Sequence, residues 1–258
     1  MLLKTALSLA RGSMVAAVGA GGKTTLLQRL AEELAGDGAC VVSTTTTAIW
    51  EPSGLLVVEA EPSALLHTVA AVVLPGQVIV AAAGRRLAAD GPGGPQRSKL
   101  AGVAPSIPAL LLAIPGVDYV LVEADGARGA AIKAPAGHEP VIPPATTHVL
   151  VVVGIEALGE PLGAEIAHRP ERIAVLLGIA VGTPLSPGHI ASLLAHPQGG
   201  RKGVPDTAHF YPFINKVQDE PSLRGARAIA NRLRGQPGID RVLIGAALAN
   251  EPVLEVWS

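Results

Sequence analysis

The stretch Val-Gly-Ala-Gly-Gly-Lys-Thr-Thr at residues 18–25 decides how this sequence should fold. It follows a short apolar segment that begins at Met14, and a helical pattern begins near Lys23. A glycine-rich turn between a strand and a helix lets backbone N–H groups approach a phosphate, and the helix N-terminus adds roughly half a positive charge. The sequence therefore predicts a phosphate-binding loop at 18–25.

Lysine and threonine in this loop suit the binding of a nucleoside triphosphate. Lys23 would reach the outer phosphates and Thr24 would bind Mg²⁺. The spacing departs from G-x-x-x-x-G-K-[ST], since Ala17 lies five positions before Gly22, and the loop resembles the compact G-x-x-G-K-T-T version of Mur-type ligases. The plainer alternative is a glycine-rich turn with a solvated lysine. The residues predicted to contact the nucleotide here are Gly19, Ala20, Gly21, Gly22, Lys23, Thr24 and Thr25.

The composition is typical of a folded α/β protein. Apolar residues make up 49% of the 258 residues and charged residues only 16%, so the chain can bury a sizeable core. Aromatic residues account for 2% and the formal net charge is −1, which argues against a basic or base-stacking surface. We therefore expect no nucleic-acid partner, and a nucleotide pocket built from aliphatic side chains.

The sequence also bears on disulfides, zinc sites and cellular location. Cys40 is the single cysteine, which excludes an internal disulfide and a cysteine-rich zinc site. No window approaches 18 uninterrupted apolar residues and no basic leader is recognised, so we expect no membrane association and a cytoplasmic location. The scattered histidines lack the i, i+4 spacing of a zinc site; they are His168, His189, His196 and His209.

Runs rich in Val, Ile and Leu recur between helical segments, the pattern of a parallel sheet covered on both faces. We predict one P-loop NTPase-like α/β domain over residues 1–258, with a mostly parallel sheet and helices on both faces; residues 156–210 could form a small cap lobe. Strands are expected at 14–19, 40–46, 55–60, 77–83, 118–124, 148–154, 212–217 and 241–247, with an edge strand at 253–257. Helices are expected at 23–35, 62–72, 105–113, 170–178, 187–195 and 221–235.

Glycine and proline mark three irregular segments. Asp90–Ser98 has the composition of a mobile loop, and Lys99 after it is a candidate substrate contact. Pro135–Pro144 carries four prolines, which requires an extended rather than a helical chain. The loop Gly199–Gly203 either closes on phosphates or is a flexible turn with solvated charges.

Acidic residues end the apolar run that begins at Asp118. A carboxylate at the carboxyl end of a strand in a P-loop fold holds magnesium, and Asp125 or Glu123 would be that carboxylate. Alternation along a strand points residues 123 and 125 to the same face, so both could reach one metal ion. We predict Asp125 as the metal ligand, with Glu123 orienting a water molecule or acceptor; the alternative is a pair of solvated acids.

Ser43-Thr44-Thr45-Thr46-Thr47 follows the second predicted strand. Threonine favours strands, so this run has a purely structural explanation. At the carboxyl end of a strand beside the phosphate loop, the hydroxyls also suit magnesium or a γ-phosphate. Thr45 and Thr46 are therefore candidate metal ligands.

Together with the phosphate loop and the threonine run, the segment at 123–143, EADGARGAAIKAPAGHEPVIP, resembles the YqeC family of accessory proteins of selenium-dependent molybdenum hydroxylases. The resemblance covers most of the chain, and its specific motifs lie at 18–25, 43–47 and 123–143. It implies a role in selenium and molybdenum cofactor maturation, with a hydroxylase apoenzyme as a partner. It implies that pathway more firmly than it implies a reaction.

Cations follow the predicted magnesium carboxylates on a loop interrupted by glycine and proline. Arg128 and Lys133 on this loop would stabilise charge during phosphoryl transfer or bind an anionic second substrate, such as a cofactor precursor. His138 lies on the same loop, although a packed, hydrogen-bonded histidine is its simpler explanation. The alternative for each cation is an ordinary surface or packing role.

The segment Pro212–Asp219 resembles the guanine-binding N-K-x-D element, but its aspartate comes one residue late. Asn215 and Lys216 are nevertheless candidate contacts to a base. The alternative is a strand that ends in a polar turn. The near-match favours GTP slightly and the Mur-like loop favours ATP, so the base stays open.

Three hypotheses for function follow. The first is a Mg²⁺-dependent NTPase or NTP-dependent transferase, in which Lys23 binds phosphates and Arg128 or Lys133 offsets developing charge. The second is a nucleotide-gated assembly or delivery protein, in which hydrolysis only resets the loops. A third, a ligase that activates a carboxylate, depends only on the Mur-like loop.

Overall fold

The computed structural model describes residues 1–89 and 96–258, with the backbone alone for Arg86, Ala88, Ala89, Gln96 and Arg97. In these residues the strands are β1 Met14–Gly19, β2 Val41–Thr45, β3 Ala48–Trp50, β4 Leu55–Val58, β5 Val78–Ala82, β6 Gly84–Ala89, β7 Gln96–Ala101, β8 Tyr119–Glu123, β9 Ile132–Lys133, β10 His148–Gly154, β11 Ala167–His168, β12 His209–Asn215, β13 Val242–Gly245 and β14 Val253–Trp257. The helices are α1 Leu3–Ala6, α2 Lys23–Gly36, α3 Pro62–Ala71, α4 Ile107–Leu112, α5 Pro170–Leu177, α6 Pro187–Ala195 and α7 Glu220–Leu233.

A large, mostly parallel sheet forms the centre of the molecule. Within the described ranges it has nine strands in the order β14-β13-β12-β10-β1-β8-β2-β5-β4. Neighbouring strands are parallel except at the β13–β14 edge, which is antiparallel. The predicted α/β class with a mostly parallel sheet is confirmed.

Alternate residues of the central strands pack on opposite faces, as the two-residue period of a strand requires. Along β1, Val15 and Ala17 pack against α1 and α2, including Leu30. Met14 and Val18 lie in the other core, which contains residues of α3 to α7. Helices therefore cover both faces, and this explains why the central strands are continuous apolar runs.

Most predicted elements are present, with shifts of a few residues at their ends. The strands at 14–19, 148–154 and 253–257 and the helix at 187–195 have the predicted bounds. The strand predicted at 212–217 begins earlier, at His209, and ends at Asn215. It begins earlier because 209–211 continue the parallel pairing with β10.

A small antiparallel sheet, β3-β7-β6, was not predicted from the sequence. Of the loop predicted at Asp90–Ser98, residues 90–95 lie outside the described residues. The prediction is wrong for 96–98, which begin β7 and pair with β6. Pairing with β6 overrides the weak strand propensity of this polar segment.

The segments at 135–144 and 156–210 connect the sheet to the site. Residues 135–144 contain neither helix nor strand, and the peptide bond between Glu139 and Pro140 is cis. In 156–210, Leu162, Ile173 and Ile190 belong to the same core as the sheet, so this segment packs on the domain. In the described part of the chain, no helix is both long and apolar enough to cross a membrane.

Candidate functional site

A cavity of about 690 Å³ opens at the carboxyl ends of β1, β2 and β8. Ligands of open parallel sheets bind at this edge. Three walls surround it: the start of α2, the segment through β3 together with β7, and the turn after β8 together with the start of α5. The lining residues are Gly21–Thr25, Thr47–Trp50, Lys99, Glu123, Gly126–Ala130, His138, Glu139, His168 and Arg169.

The glycines of the 18–25 loop are required by its close approach to β10. Gly19 and Gly21 have φ values of 92° and 83°. A Cβ at Gly19 would lie 2.4 Å from Val152 O, and one at Gly21 would lie 2.1 Å from Gly154 N. Any side chain at either position would force the loop away from the sheet.

The first N–H groups of the loop are used inside the protein. Gly19 N–H donates to Asp125 Oδ2 at 3.1 Å, and the N–H groups of Ala20 and Gly21 donate to backbone carbonyls. Gly19 and Ala20 do not line the cavity. These two residues therefore shape the loop, whereas sequence reasoning gave them direct nucleotide contact.

The next four N–H groups are free. Those of Gly22, Lys23, Thr24 and Thr25 have no hydrogen-bond acceptor among the described residues, and no side chain caps the helix. The first N–H groups of a helix lack intrahelical partners and carry the positive end of its dipole. All four residues line the cavity. This is the local arrangement that binds a phosphate.

Lys23 is buried at the base of the loop. Its Nζ donates to Gly19 O at 2.7 Å and lies 3.1 Å from Asp125 Oδ1 and 3.8 Å from Glu123 Oε1. The ammonium thus neutralises two carboxylates at the strand end. An incoming phosphate would compete with these carboxylates for the same cation.

Thr24 and Glu123 form a second contact at the cavity. Thr24 Oγ1 donates to Glu123 Oε2 at 2.7 Å. Burial raises the pKa of Glu123, against the opposing effects of Lys23 and the Thr24 hydrogen bond. A hydroxyl beside a carboxylate offers the hard oxygen ligands that Mg²⁺ prefers, with phosphate and water to complete the shell. The pair therefore fits a magnesium ion.

Asp125 has a different environment from Glu123. Only 1% of the residue is exposed, and its Oδ2 accepts the Gly19 N–H and lies 2.9 Å from Lys133 Nζ. Asp125 joins the loop at 18–25 to the segment after β8, and it is absent from the lining of the cavity. Sequence reasoning chose Asp125 as the metal ligand; the geometry favours Glu123, because Glu123 contacts Thr24.

The predicted threonine ligands are turned to the backbone. Thr45 Oγ1 donates to Glu123 O at 2.7 Å, and Thr46 Oγ1 donates to Val141 O at 2.6 Å. Neither residue lines the cavity, whereas Thr47 does. The run therefore fixes the strand ends, and Thr47 is the member that reaches the site.

The two cations predicted after β8 are placed differently. Lys133 is buried, and its Nζ lies 2.9 Å from both Asp125 Oδ2 and Glu139 Oε2. Arg128 is exposed, lines the cavity and has a left-handed backbone with φ of 50°. Arg128 makes no hydrogen bond or ion pair within the described ranges, so of the two it is the one available to a ligand.

One cationic lining residue, Arg169, was missed as an anion-binding candidate. Arg169 Nη1 donates to Glu139 Oε2 at 2.8 Å. Burial would raise the pKa of Glu139, but hydrogen bonds from Arg169 and Lys133 lower it to about 2. His168 was considered only for zinc; burial, then Arg169 and Lys133, lower its pKa to about 4, so it is neutral near pH 7. Arg169 precedes the proline that starts α5 and belongs to no motif.

Asn215 supports the loop at 18–25. Its Nδ2 donates to Gly21 O at 2.8 Å, and its Oδ1 accepts the N–H of Ala247 at 2.9 Å. Lys216 forms an exposed ion pair with Glu156. Neither residue lines the cavity. The base contacts predicted for this pair gain no support, and the choice between adenine and guanine stays open.

The loop at 199–203 is attached to the 135–144 segment. Lys202 Nζ donates to the carbonyl oxygens of Gly137 at 2.9 Å and Glu139 at 2.6 Å. His138, between these two residues, is exposed and lines the cavity. The 199–203 loop therefore holds the segment that carries Glu139, and this favours its structural interpretation.

The cavity is more basic than the chain as a whole. Among its described lining residues, Lys23, Lys99, Arg128 and Arg169 face two carboxylates, Glu123 and Glu139, although the chain has a formal net charge of −1. A concave surface with excess positive charge attracts anionic ligands. Among the described residues, those of the cavity included, no group of three or more His, Cys, Asp or Glu side chains could by itself hold a metal ion.

The comparisons with known proteins agree on one family. The family model described as YqeC protein matches residues 15–171. A protein of Escherichia coli (strain K12) described as "Uncharacterized protein YqeC" is 34% identical over 208 residues, which cover 80% of this chain and 77% of that protein. The match to the family model includes the phosphate loop, Glu123, Asp125 and Arg169.

Proposed function

This chain belongs to the YqeC family, and we propose that it is a Mg²⁺-dependent nucleoside-triphosphate-binding protein that hydrolyses the nucleotide or transfers part of it to a second substrate. One observation carries the proposal: four free N–H groups at the start of α2 face a basic cavity beside a buried lysine. Such groups are preorganised to bind phosphate, because the loop is already held by β10 and Asn215.

Lys23 would bind the outer phosphates. The cation lies at the base of the same loop, and its neutralisation by Glu123 and Asp125 keeps it buried without a ligand. A phosphate oxygen makes a charge-assisted hydrogen bond to lysine of the same kind as a carboxylate does.

Thr24 and Glu123 would hold the magnesium ion. When bound, Mg²⁺ would offset the charge on the transferred phosphoryl group. The hydrogen bond between the two side chains supports this assignment, because it places a hydroxyl and a carboxylate next to the free N–H groups. Asp125 would position the loop and the two lysines.

Arg128 would stabilise the charge that develops during transfer. Its exposure, its place in the cavity wall and its lack of a carboxylate partner in the described structure support that role. Lys133 would act through Asp125 and Glu139, since it is buried between them. Arg169 and His138 on the same wall would bind an anionic second substrate.

The YqeC resemblance adds a biological setting to the proposal. In it, the nucleotide reaction serves maturation of a selenium- and molybdenum-containing cofactor for a hydroxylase. The second substrate would then be an anionic cofactor precursor, and the hydroxylase apoenzyme would be a partner. The basic wall of the cavity is compatible with such a precursor.

A nucleotide-gated assembly protein is the second candidate. It is favoured by a continuous set of contacts in which Asp125 links Gly19 to Lys133, and Glu139 continues the set to Arg169. A ligand that displaced Lys23 from Asp125 would disturb these contacts and could reorganise the loop. Slow turnover that accelerates with the apoenzyme would favour this candidate, and stoichiometric transfer to a small molecule would favour the enzyme.

Calorimetric titration of ATP and GTP, with and without Mg²⁺, tests the proposal. We expect micromolar Mg²⁺-dependent binding to the wild type and a loss of about 10- to 100-fold in Lys23→Ala, the range of a charge-assisted hydrogen bond. Lys216→Ala is the matched control, because that lysine is exposed outside the cavity. Circular dichroism confirms folding, and Thr24→Ala provides a second variant whose hydroxyl is easier to remove.

The titration also separates the possible failures. Wild-type protein that binds neither nucleotide would contradict the proposal, as would equal binding by the wild type, Lys23→Ala and Thr24→Ala. Preference for one nucleotide would identify the base.

A further inference from the structure

The aromatic residues of this chain are few, and one of them lies in the cavity. The chain contains two Trp, two Tyr and two Phe residues. Four are buried in the core: Tyr119, Phe210, Tyr211 and Phe213. Trp257 lies on the edge strand β14, with the guanidinium of Arg234 5.4 Å from its ring centroid. Trp50 lines the cavity, so the walls of this cavity are not built from aliphatic side chains alone.

Trp50 is held at the cavity by a short strand that the sequence did not predict. Its neighbour Ile49 is 5% exposed and packs with Val80 and Leu100, which fixes β3 against the sheet. Trp50 is half-buried and pairs across the strands with Lys99, whose Nζ lies 4.7 Å from the indole centroid. Both side chains line the same cavity as the free N–H groups.

We propose that Trp50 is the stacking surface for the nucleobase of the bound nucleotide. This inference rests on the proposed function and extends it from the phosphates to the base. The triphosphate would occupy the wall formed by the start of α2, and the ring would reach the wall formed by β3 and β7. Cavities of 300–1,000 Å³ hold ligands of this size.

Stacking also bears on the choice of base. Every base has a π face, so an indole platform stabilises adenine and guanine alike and supplies affinity without strong selection. Lys99, whose Nζ lies 4.7 Å from the ring centroid, adds a positive charge to the same wall. We therefore expect ATP and GTP to depend on Trp50 to a similar extent.

Two ring-bearing ligands could use this surface: the nucleotide or the second substrate. Inorganic triphosphate is the probe that separates the base from the phosphates, because it carries the charge without a ring. In a Trp257→Phe background, Trp50 is the single tryptophan and its emission reports directly on this wall. We expect ATP with Mg²⁺ to change that emission.

Affinities of Trp50 variants provide the decisive measurement. We expect Trp50→Leu to weaken ATP and GTP binding about 5- to 150-fold, the range for loss of one stacked base, and to leave inorganic triphosphate binding unchanged. Trp50→Phe should retain most of the affinity, because it keeps an aromatic face. Circular dichroism and the triphosphate affinity show whether each variant is folded.

The outcomes distinguish this inference from the proposed function. If ATP and triphosphate bind the wild type and Trp50→Leu weakens neither, the stacking role is overturned and the phosphate site stands. If Trp50→Leu weakens both ligands equally, Trp50 supports the cavity structurally and the stacking role is again overturned. If the wild type binds neither ligand, the proposed function itself fails.

Discussion

Replacement of Asp125 by alanine should destabilise the protein before any ligand is added. The carboxylate is 1% exposed, lies 2.9 Å from Lys133 Nζ and 3.1 Å from Lys23 Nζ, and accepts the Gly19 N–H. Removing one partner of a buried ion pair costs about 3–5 kcal/mol, and an unpaired N–H adds about 1–3 kcal/mol. Both lysines keep second carboxylates, so we expect a loss near the lower limit, about 4 kcal/mol.

The loss should be visible as a shift in melting temperature. A chain of 258 residues unfolds with an entropy of about 0.5 kcal/mol/K, so 4 kcal/mol corresponds to a Tm decrease of about 7 °C. Asp125→Asn keeps an acceptor for the Gly19 N–H and should lose roughly half as much. Asp37→Ala, which removes an exposed partner of Lys4, is the control and should change Tm by less than about 2 °C.

Thermal unfolding followed by circular dichroism, with urea titration as a check, measures these differences. A Tm for Asp125→Ala within about 2 °C of the wild type would refute the view that Asp125 holds the loop. Loss of Mg²⁺-dependent ATP binding in Asp125→Asn at unchanged Tm would return Asp125 to the role of metal ligand. Retained binding would leave Glu123 as the carboxylate of the metal site.

Three further substitutions test other contacts of the site and the fold. Glu123→Gln should abolish Mg²⁺-dependent ATP binding. The variant should also be at least as stable as the wild type at neutral pH, because burial raises the pKa of Glu123 and so makes its ionised form unfavourable in the folded protein. Lower stability of the variant at pH 7 would contradict this explanation. Asn215→Ala should cost about 2 kcal/mol in urea unfolding and weaken ATP binding, because Gly21 O and the Ala247 N–H lose their partner; unchanged ATP affinity would remove its supporting role. Burial and His209 lower the pKa of His148 to about 4 from 6.5, so the unfolded state binds the proton first and its protonation on acidification from pH 6.5 to 4 should cost up to about 3 kcal/mol. His148→Gln should reduce the slope of the stability profile in this range, and His168, whose pKa is lowered in the same way, should supply the slope that remains; an unchanged slope would exclude a contribution from His148.

Much of the fold could be predicted because its strands are buried on both faces. The runs at Met14–Gly19 and His148–Gly154 are almost entirely apolar, and their bounds were predicted without error. The β3-β7-β6 sheet could not be predicted, because β7 begins with the polar residues Gln-Arg-Ser-Lys. Gln96, Arg97 and Ser98 form a strand through their pairing with β6, and Lys99 pairs with both β6 and β3. The polar composition of the segment does not indicate this pairing.

The site was predictable as a location and much less as a set of contacts. The loop at 18–25 and the acids after β8 meet as expected, because carboxyl ends of neighbouring parallel strands share one edge of the sheet. The sequence could not show that the Ala20 N–H donates to Val152 O while the Gly22 N–H has no acceptor among the described residues. Nor could it place Arg169 against Glu139, which is 30 residues away.

Asn215 shows how a sequence motif can mislead at the edge of a sheet where polar residues from several strands meet. Its resemblance to a base-binding element correctly indicates a residue at a strand end beside the phosphate loop. Any polar residue at that edge has several neighbours that need hydrogen bonds. Here the side-chain amide of Asn215 donates to Gly21 O and accepts the Ala247 N–H, so both of its polar atoms are already paired. A functional assignment therefore depends on which polar groups at this edge remain without a hydrogen-bond partner once the contacts of the fold are counted.

The charge balance around the loop at 18–25 explains why the proposal includes both a magnesium ion and the exposed Arg128. Around the loop, three cations, Lys23, Lys133 and Arg169, are balanced by three carboxylates, Glu123, Asp125 and Glu139. This network is neutral, so the several negative charges of a triphosphate need compensation from outside it. Arg128 and Lys99 are the other cations of the cavity wall, and a metal ion at Thr24 and Glu123 would supply the remainder. Binding that was strong without Mg²⁺ and unaffected by Arg128→Ala would contradict this charge balance.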